Sequence, residues 1–279
     1  MAQRSKVIVN YNGQLCRGTE VLPFDNRGFA YGDAVFDTLV IASGQIRFWE
    51  DHYFRMMSGM RVLRMCIPTS FTMDFLQQEI EKVLDAPNAR VRITLFREAK
   101  GLYTAERGSV GYLIAAKPLG DAAYSISDEK YEVALFTDFY VQQSTLNNIK
   151  STNRALHVVA GVFARENAYD NCLLLNDSKQ LVGAINGNLF LISDAQLITP
   201  SPEQGCIKGI FRKNLLRLVT ENHLFEVVER PITPFELTKA AEVFITNVIS
   251  GIIPVTHYRK KVFSTEKTKA LLNRFNSTR

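Results

Sequence analysis

The sequence is poor in cysteine and histidine, and neither residue type is clustered. The four cysteines are widely spaced and form no Cys-x-x-Cys pair: Cys16, Cys66, Cys172 and Cys206. Disulfide frameworks and zinc sites need closer, regular spacings, so the sequence gives no sign of either, and the four dispersed histidines indicate no metal cluster. This cysteine usage is typical of a reducing compartment, and we expect a cytoplasmic protein.

Long apolar runs and dense blocks of one charge are also absent from the sequence. No apolar segment reaches the roughly 20 residues that a membrane-spanning helix needs, and the basic N-terminus is not followed by the apolar region of a signal peptide. The net charge of +5 is spread along the chain and forms no basic stripe. We therefore expect no membrane partner and no nucleic-acid partner, whereas an anionic small ligand is compatible with this charge.

Short strand patterns alternate with amphipathic helix patterns along the chain. Its 279 residues are 46% hydrophobic and 22% charged, which is ordinary for a globular protein and sufficient for two modest domains. Residues 118–129 interrupt the pattern with proline, glycine, serine and aspartate, as a linker does. We predict a mixed α/β (α+β) protein with an N-terminal domain at 1–117, a linker at 118–129 and a C-terminal domain at 130–279.

Individual elements follow from the period of the apolar residues. The sequence predicts strands at 6–11, 35–42, 46–49, 90–96, 110–116, 131–136, 171–176, 188–193, 225–230 and 242–246. It predicts helices at 50–66, 71–84 and 210–219, and a further helix after Lys150. Ser151 and Thr152 are the candidate caps of that last helix.

Lys150 and Arg55 are the first candidates for chemistry. Lys150 stands between a polar loop and an amphipathic helix, where a lone lysine is more often a solvated surface residue than a reactive amine. Arg55 lies beside an apolar stripe on the predicted helix 50–66, where it is either solvated or projects into a cleft.

Two later segments are candidates for an anion site. A loop that contains Gly205 and Gly209 leads into the helix at 210–219, and the free amides and positive dipole end of such a helix favour an anion. The alternative is a helix that is merely capped by glycine. The Thr246-Asn247 turn, which ends a late strand, would either add amides to this site or only turn the chain.

Five motifs in order resemble the fold type IV, pyridoxal-phosphate-dependent class IV aminotransferase family. They are DNRGFAYGDAVFDTL at 25–39, EDHYFRM around Arg55, IKSTN around Lys150, NGNLFLI before 193 and TPSPEQGCIKGIFR before 213. That family includes branched-chain and D-amino-acid aminotransferases and 4-amino-4-deoxychorismate lyase. Each motif is weak alone, whereas the five together span nearly the whole chain at the family's spacing.

The resemblance implies pyridoxal 5'-phosphate as cofactor and gives individual residues a role. Lys150 would form the Schiff base and later move the substrate's α-proton, which requires a neutral amine. Arg55 would bind the cofactor phosphate. Ile210 and Phe211 would offer it their backbone amides, with Phe211 in place of the family's usual threonine. Two more candidate amide donors complete the phosphate site: Asn247 and Val248.

The resemblance also points to substrate-site residues and to one departure. Tyr31 and Phe36 match pocket aromatics, and Lys100 lies in the region where relatives place an arginine for the substrate carboxylate, although it matches that arginine poorly. The family's glutamate that pairs with the pyridine nitrogen is replaced by Gly183. Loss of that charge-assisted hydrogen bond, worth roughly 1.5–3 kcal/mol, should weaken cofactor affinity and carbanion stabilisation.

Three functions remain open at this point. The first is transamination between an amino acid and a 2-oxo acid, and the second is release of pyruvate from aminodeoxychorismate to give 4-aminobenzoate. Asn153 and Arg154 follow the lysine as they do in the lyase, and Ala155 stands where branched-chain relatives carry a tyrosine. The third is a non-catalytic binder, suggested by Gly183. In each case the resemblance implies a homodimer and a small amino acid or keto acid as ligand.

Overall fold

The computed structural model describes residues 8–17 and 22–278. Its strands are β1 (Ile8–Tyr11), β2 (Gln14–Arg17), β3 (Ala34–Ala42), β4 (Gln45–Ile46), β5 (Ala89–Glu98), β6 (Ser109–Pro118), β7 (Glu132–Val141), β8 (Asn171–Asn176), β9 (Leu181–Ala184), β10 (Asn188–Ser193), β11 (Gln196–Thr199), β12 (Glu226–Glu229), β13 (Glu242–Asn247), β14 (Gly251–Val255), β15 (His257–Tyr258) and β16 (Lys261–Val262). Its helices are α1 (Arg27–Ala30), α2 (Trp49–Val62), α3 (Met73–Glu81), α4 (Thr145–Asn148), α5 (Ala155–Glu166), α6 (Ile210–Glu221), α7 (Glu236–Lys239) and α8 (Glu266–Ser277), with a 3-10 turn at Pro202–Gln204.

Most of the predicted elements are present, with shifted ends. β8 and β10 have the predicted bounds, whereas the predicted strand 6–11 begins outside the described residues and is seen as β1. The helix predicted at 50–66 ends at Val62, and the strand predicted at 46–49 ends at Ile46 because Trp49 already begins α2. The sequence did not predict the short or turn-flanked elements, among them β9, β11, β14 and α8.

One compact unit, unit 1, comprises Met1–Ala122 together with Ile149–Asn153. Its six-stranded sheet has the order β2-β1-β6-β5-β3-β4, and every described pairing is antiparallel. Alternate residues of the central strands point to one face and pack against α2 and α3. This buried face includes Val35, Leu39, Ile41, Val91, Ile93, Leu95, Met56, Met60, Leu76 and Ile80.

The opposite face of this sheet carries the intervening residues, and we call it the open face. On β3 and β5 it includes Phe36, Thr38, Arg90, Arg92 and Thr94, since these alternate with the core residues. Phe36 and Thr94 are partly exposed, and Arg90 and Arg92 are exposed. The open face is therefore accessible to a ligand.

Unit 2 comprises Ala123–Asn148 and Arg154–Arg279. It contains two five-stranded sheets, with the orders β12-β11-β10-β13-β14 and β16-β15-β7-β8-β9. Apolar residues from both sheets form one core, so the sheets pack face to face. α5 packs on the outer face of the second sheet, and α6 packs on β13 of the first. The predicted mixed α/β class is confirmed.

The division of the chain differs from the predicted domains at one place. The boundary between the units falls after Ala122, within the predicted linker 118–129. Residues 149–153 belong to unit 1, although we expected Lys150 in the C-terminal domain. The reason is a local strand pairing with β3, which brings this short segment to the sheet of unit 1.

Candidate functional site

Lys150 lies on an extended segment that pairs with the first half of β3. The Phe36 N–H donates to the Lys150 carbonyl oxygen at 2.8 Å, and the Thr152 N–H donates to Ala34 O at 3.0 Å. Val35 and Ser151 form an antiparallel bridge between these bonds. Because β4 pairs only with the far end of β3, the near end offers a free edge to this segment. Lys150 is thereby fixed on a rigid strand.

The same pairing explains why one prediction about α5 is wrong. Ser151 and Thr152 do not cap this helix: its N-cap is Arg154, and no side chain makes a cap hydrogen bond. The Thr152 hydroxyl is 3.5 Å from Ala34 O, and Ser151 is buried in the bridge to β3. Ser151 and Thr152 therefore interact with β3 instead of with the first turn of α5.

Phe36 connects Lys150 with an arginine that sequence reasoning missed. Lys150 Nζ lies 4.7 Å from the centre of the Phe36 ring, and the Arg92 guanidinium carbon lies 3.8 Å from the same ring centre. Thr94 is the direct partner of Phe36 on β5, so Arg92 is its diagonal neighbour on the open face. Arg92 is accessible to solvent, but the surrounding protein partly desolvates its guanidinium and lowers its pKa, and the charge of Arg90 lowers that pKa further. An anion would therefore be stabilised beside these cations.

Arg55 of α2 binds the buried carboxylate of Asp37 on β3. Arg55 Nε donates to Asp37 Oδ2 at 2.9 Å, and Arg55 Nη2 donates to Asp37 Oδ1 at 2.5 Å. His52, one helical turn before Arg55, places Nδ1 3.0 Å from the same Oδ1. Asp37 is fully buried at 0% exposure, as is His52, whereas 15% of the Arg55 side chain is exposed. Arg55 thus extends from a buried ion pair toward solvent.

This cluster has a defined charge distribution. Burial alone would raise the pKa of Asp37, but the Arg55 charge and the His52 ring, with their hydrogen bonds, outweigh it and hold that pKa well below its usual range. Asp37 is therefore ionised and accepts from His52 Nδ1, which must carry the proton. His52 Nε2 is buried and has no hydrogen-bond partner in the described part of the chain. The aspartate fixes the orientation of Arg55.

The predicted substrate residues Tyr31 and Lys100 lie near a loop that is held by arginines. The Arg27 guanidinium stacks 4.9 Å from the centre of the Tyr31 ring, and the Tyr103 ring lies 5.7 Å from it. Lys100 lines an open cavity of about 340 Å³ together with Arg27. In the described residues 8–17 and 22–278, Lys100 makes no cation–π contact with Phe36. The roles of Tyr31 and Lys100 in substrate binding stay predictions.

Asp33 holds this loop region through two arginines. Arg27 Nε donates to Asp33 Oδ2 at 2.9 Å and Arg97 Nε donates to the same oxygen at 2.8 Å. Arg27 Nη1 also donates to the carbonyls of Gly101 and Leu102, each at 2.7 Å. Arg97 in addition donates to two carbonyls at the end of α2. Arg97 is therefore a structural residue of this loop region.

In unit 2, the start of α6 presents backbone amides with no side-chain cap. Gly209 is the N-cap, and the first intrahelical bond runs from Lys213 N to Gly209 O at 2.9 Å. Among the residues that the structure describes, the N–H groups of Ile210 and Phe211 have no hydrogen-bond acceptor. Phe211 is 1% exposed, and its side chain packs against Tyr124 and Phe275, so this side chain is not free to contact a ligand. These amides, with the helix dipole, suit an anion.

Asn247 and Val248 form the turn after β13. Asn247 Oδ1 accepts from the N–H groups of Ile249 at 3.0 Å and Ser250 at 2.8 Å. Val248 O accepts from the Tyr124 hydroxyl at 2.7 Å. The Asn247 side chain and the Val248 carbonyl therefore stabilise the turn itself. Only the backbone N–H groups of Asn247 and Val248 therefore fit the predicted role, which is to donate hydrogen bonds to a phosphate.

Gly183 lies on β9 beneath a tight turn. The Ala184 N–H donates to Gly187 O at 2.9 Å, and a Cβ added to Gly183 would lie 2.9 Å from the same carbonyl oxygen. A side chain at position 183 therefore requires the turn to move. The turn closes over the position from which a carboxylate at residue 183 would project. The structure therefore gives a steric reason for the glycine that stands at this position.

The structure brings together some of the predicted residues and adds others. Lys150 and Phe36 meet on the open face, and Arg55 lies on α2 against the other face of β3. Sequence reasoning missed Asp37, His52 and Arg92. The His52–Arg55 spacing on one helix and the Arg90–Arg92 alternation on one strand were signals that could have indicated them.

The described ranges contain neither a metal-binding cluster nor a helix that could span a membrane. No group of three or more histidine, cysteine or acidic side chains in these ranges could hold a metal ion. All four cysteines are free. No helix in the described residues 8–17 and 22–278 is long and apolar enough to cross a bilayer.

The chain is similar to known proteins over nearly its whole length. A family model described as amino-transferase class IV matches residues 34–258. A Methanocaldococcus jannaschii protein assigned as a branched-chain-amino-acid aminotransferase is 27% identical, over 94% of this chain and 92% of its own length. The aminodeoxychorismate lyase of Vibrio harveyi is 25% identical, over 84% of this chain and 86% of its own.

A solved structure has the same fold. The branched-chain amino acid aminotransferase of Thermobaculum terrenum in its PLP form superposes with a TM-score of 0.86, covering 99% of this chain and 94% of that one. Its sequence is 19% identical, so this likeness concerns the fold alone.

Proposed function

The chain belongs to the class IV aminotransferase family, and we propose that it transfers an amino group between an amino acid and a 2-oxo acid. The family consists of enzymes that depend on pyridoxal 5'-phosphate, and this protein is one of them. The observation that carries the proposed reaction is the position of Lys150. Its backbone is fixed on β3, and its amine lies on the open face beside Phe36 and Arg92.

The residues present fit the phosphate end of the cofactor. In unit 2, the uncapped amides at Ile210 and Phe211 suit a dianion. In unit 1, the partly exposed guanidinium of Arg55 is by itself a group that suits a phosphate. The ring-nitrogen end has no carboxylate at Gly183. When bound, pyridoxal phosphate supplies an electron sink for the substrate's α-carbon, which we expect to be weaker here than with a carboxylate beside the ring nitrogen.

We infer separate roles for Lys150 and Arg55. Lys150 Nζ would hold the cofactor covalently in the resting enzyme and then move the α-proton of the substrate, since a rigidly positioned amine is an effective base. Arg55 would bind the phosphate while Asp37 keeps its guanidinium in place. The bidentate contact with Asp37 supports this role, because a pre-oriented guanidinium loses less conformational freedom on binding.

We propose that Arg92, and not Lys100, binds the substrate carboxylate. Amino acids and 2-oxo acids are both carboxylates, so one cation can serve both half-reactions. Arg92 shares the Phe36 ring with Lys150, whereas Lys100 lines the cavity beside Arg27. In the described chain, Arg92 also has no carboxylate partner, so its charge is not neutralised by an ion pair.

The lyase reaction is the second candidate, and Asn153 supports it. Its amide Nδ2 donates to Gly32 O at 3.3 Å, and a Cβ on Gly32 would lie 2.2 Å from Asn153 Oδ1. The lyase-like Asn153 is therefore packed closely in the segment that carries Lys150. Incubation with aminodeoxychorismate distinguishes the reactions, because a lyase releases pyruvate without a keto acid acceptor. A transaminase needs that acceptor.

The non-catalytic hypothesis has no support from the relatives. The M. jannaschii protein and the Vibrio harveyi lyase both carry enzyme names. Gly183 therefore indicates a modified cofactor site in an enzyme and not a protein that has lost catalysis.

We also propose a homodimer in a reducing, cytoplasmic setting. Arg27 joins the segments 22–31 and 101–104 of unit 1, which together expose large apolar side chains. Phe24 is 90% exposed, Phe29 78% and Tyr103 92%, and an apolar patch of this kind is typical of a protein interface. A monomer in sedimentation equilibrium would contradict the dimer. The free thiols support the reducing compartment.

Borohydride trapping tests the proposed function. The purified protein should be yellow, or turn yellow with added pyridoxal phosphate, and reduction should fix the cofactor to one peptide that contains Lys150. Lys117→Ala, on the open face, is the matched control and should be labelled like the wild type, whereas Lys150→Ala should not be labelled. A colourless protein, or a label on another lysine, contradicts the proposal.

A further inference from the structure

Thr246 at the end of β13 has a buried hydroxyl without a partner. Its side chain is 1% exposed, and Oγ1 makes no hydrogen bond in the described ranges. The other two buried threonines of unit 2 are satisfied: Thr199 Oγ1 donates to Leu189 O at 2.7 Å, and Thr268 Oγ1 donates to Glu242 Oε2 at 2.6 Å. Burying a hydroxyl without a hydrogen bond is unfavourable, so the exception at Thr246 needs a cause.

The register of the sheet places Thr246 on the face of β13 that meets the start of α6. Thr246 is directly opposite Asn188 on β10, so their side chains share one face of the sheet. Asn188 Nδ2 donates to Ile207 O at 2.8 Å, and a Cβ on Gly209 would lie only 2.0 Å from Asn188 Oδ1. Asn188 therefore touches the N-cap of α6, and Thr246 lies next to Asn188.

The other side chains at this place are already used. Phe211 packs into an aromatic cluster, and Val248 carries no donor. The Asn247 side-chain oxygen accepts two backbone N–H groups of its own turn. Among these side chains, the hydroxyl of Thr246 is a donor that has no partner in the described chain, and it lies beside the uncapped amides of α6, a helix of 12 residues.

We propose that the Thr246 hydroxyl donates a hydrogen bond to the cofactor phosphate at the start of α6. This inference rests on the proposed function and adds to it a binding residue that the motif resemblance did not indicate. A phosphate monoester dianion has enough acceptor oxygens for both the amides and one hydroxyl. Such a ligand also satisfies a hydroxyl that the folded chain leaves unpaired, and a hydrogen bond to a charged group is among the stronger ones.

Thr246→Val tests the proposal, because valine keeps the shape and removes the hydroxyl. The apoprotein of this variant should melt no lower than the wild type, since no hydrogen bond of the chain is lost. Its affinity for pyridoxal phosphate, measured by absorbance titration of the apoprotein, should fall about 10-fold, as expected for one hydrogen bond to a charged group. Thr246→Ser should bind within about threefold of the wild type.

Two controls separate the hydroxyl's role from packing. Pyridoxal, which lacks the phosphate, should bind equally to the wild type and to Thr246→Val. Thr199→Val loses a hydroxyl that is bonded within the chain, so it should lower the melting temperature and leave the affinity for pyridoxal phosphate unchanged. Equal affinity of Thr246→Val and wild type for pyridoxal phosphate, or an equal loss with pyridoxal, overturns the proposal.

The result is distinguishable from failure of the proposed function. If wild-type Lys150 is labelled by borohydride and Thr246→Val binds pyridoxal phosphate like the wild type, only the role of Thr246 is wrong. If wild-type protein neither binds the cofactor nor is labelled, the proposed function itself fails and the Thr246 proposal fails with it.

Discussion

The main-chain N–H of Phe36 is hydrogen-bonded to the carbonyl oxygen of Lys150 at 2.8 Å, and the Lys150 amine lies 4.7 Å from the centre of the Phe36 ring. A backbone bond and a side-chain contact therefore join the same two residues. A lysine on a flexible loop would sample many positions, whereas this one moves with β3. The arrangement gives a reactive amine the positioning that proton transfer needs.

Arg92 should affect substrate binding more than chemistry. We expect Arg92→Met to raise KM for the amino acid and the 2-oxo acid about 10- to 100-fold with a smaller change in kcat, because a charge-assisted hydrogen bond is worth roughly 1.5–3 kcal/mol in ground state and transition state alike. Steady-state kinetics with each substrate measures this. Lys117→Met removes a cation at the edge of the same face and should leave KM within twofold; an unchanged KM in Arg92→Met refutes the assignment.

Arg55 should stabilise the fold as well as bind phosphate. Arg55→Ala leaves the buried Asp37 carboxylate without its cation, and we expect the free energy of unfolding to fall by about 3–5 kcal/mol. Urea denaturation of the apoprotein measures the change. Arg61→Ala, on the exposed side of α2, is the control and should change stability by less than about 0.5 kcal/mol.

A double mutant separates the two roles of Arg55. Asp37→Asn removes the carboxylate that Arg55 neutralises, so Arg55→Ala should destabilise that background less than it destabilises the wild type. The loss of affinity for pyridoxal phosphate should remain in both backgrounds. Equal destabilisation in both backgrounds would show that the ion pair contributes nothing to stability.

Glu79 should make the fold sensitive to acid. Its carboxylate is buried and accepts from Lys82, Asn10 and Tyr112. Burial alone would raise the pKa of Glu79, but these hydrogen bonds outweigh it and lower the pKa. The unfolded chain therefore takes up the proton more readily, so the stability from Glu79 is present above the ordinary glutamate pKa of about 4.3 and is lost as the pH falls through the lower folded value.

The corresponding measurement is urea denaturation at pH 7 and at pH 4. Glu79→Gln should be less stable than the wild type at pH 7 by about 1–3 kcal/mol, because two buried donors, Asn10 and Tyr112, and the more exposed Lys82 converge on one carboxylate. The difference should shrink at pH 4. Glu81→Gln, an exposed neighbour on α3, should follow the wild type at both values, and a difference for Glu79→Gln that grows toward acid would contradict the assignment.

Motifs and periodicity predicted the scaffold, whereas the roles assigned to individual site residues stay predictions. The mixed α/β class and the central elements were predictable because alternating and helical apolar patterns are strong in β3, β5, α2 and α6. Short strands such as β9 and β14 were not predictable from the sequence. Their four or five residues include glycine or proline and show little alternation of apolar and polar residues. The sequence also predicted a local cap for α5, whereas the structure pairs that segment with a distant strand.

Buried polar residues were the main omission at the site. Asp37 and Thr246 interrupt apolar runs within strands, and a sequence pattern cannot show whether such a residue has a partner. The Asp37 carboxylate has two hydrogen-bond partners on α2, whereas the Thr246 hydroxyl has none in the described chain. Arg92 was missed because its contact with Phe36 is diagonal across two strands that are more than fifty residues apart in the sequence.

Gly183 should not tolerate even a methyl group. A Cβ there lies 2.9 Å from the Gly187 carbonyl oxygen, which belongs to backbone and is already bonded to Ala184 N–H. We expect Gly183→Ala to lower the free energy of unfolding by about 1–3 kcal/mol. Gly161→Ala is the matched control: it lies within α5 with nothing within 4 Å of the added Cβ, and should stabilise by about 0.5–1 kcal/mol.

The same contact decides what a restored carboxylate would do. Gly183→Glu must displace the turn at Gly187 before its side chain can reach any ligand, so we expect lower stability and no gain in turnover with any amino donor. Thermal denaturation and steady-state kinetics of the variant give both values. A stable Gly183→Glu protein with higher kcat would show instead that the turn yields easily, and that the missing carboxylate is the only defect of this site.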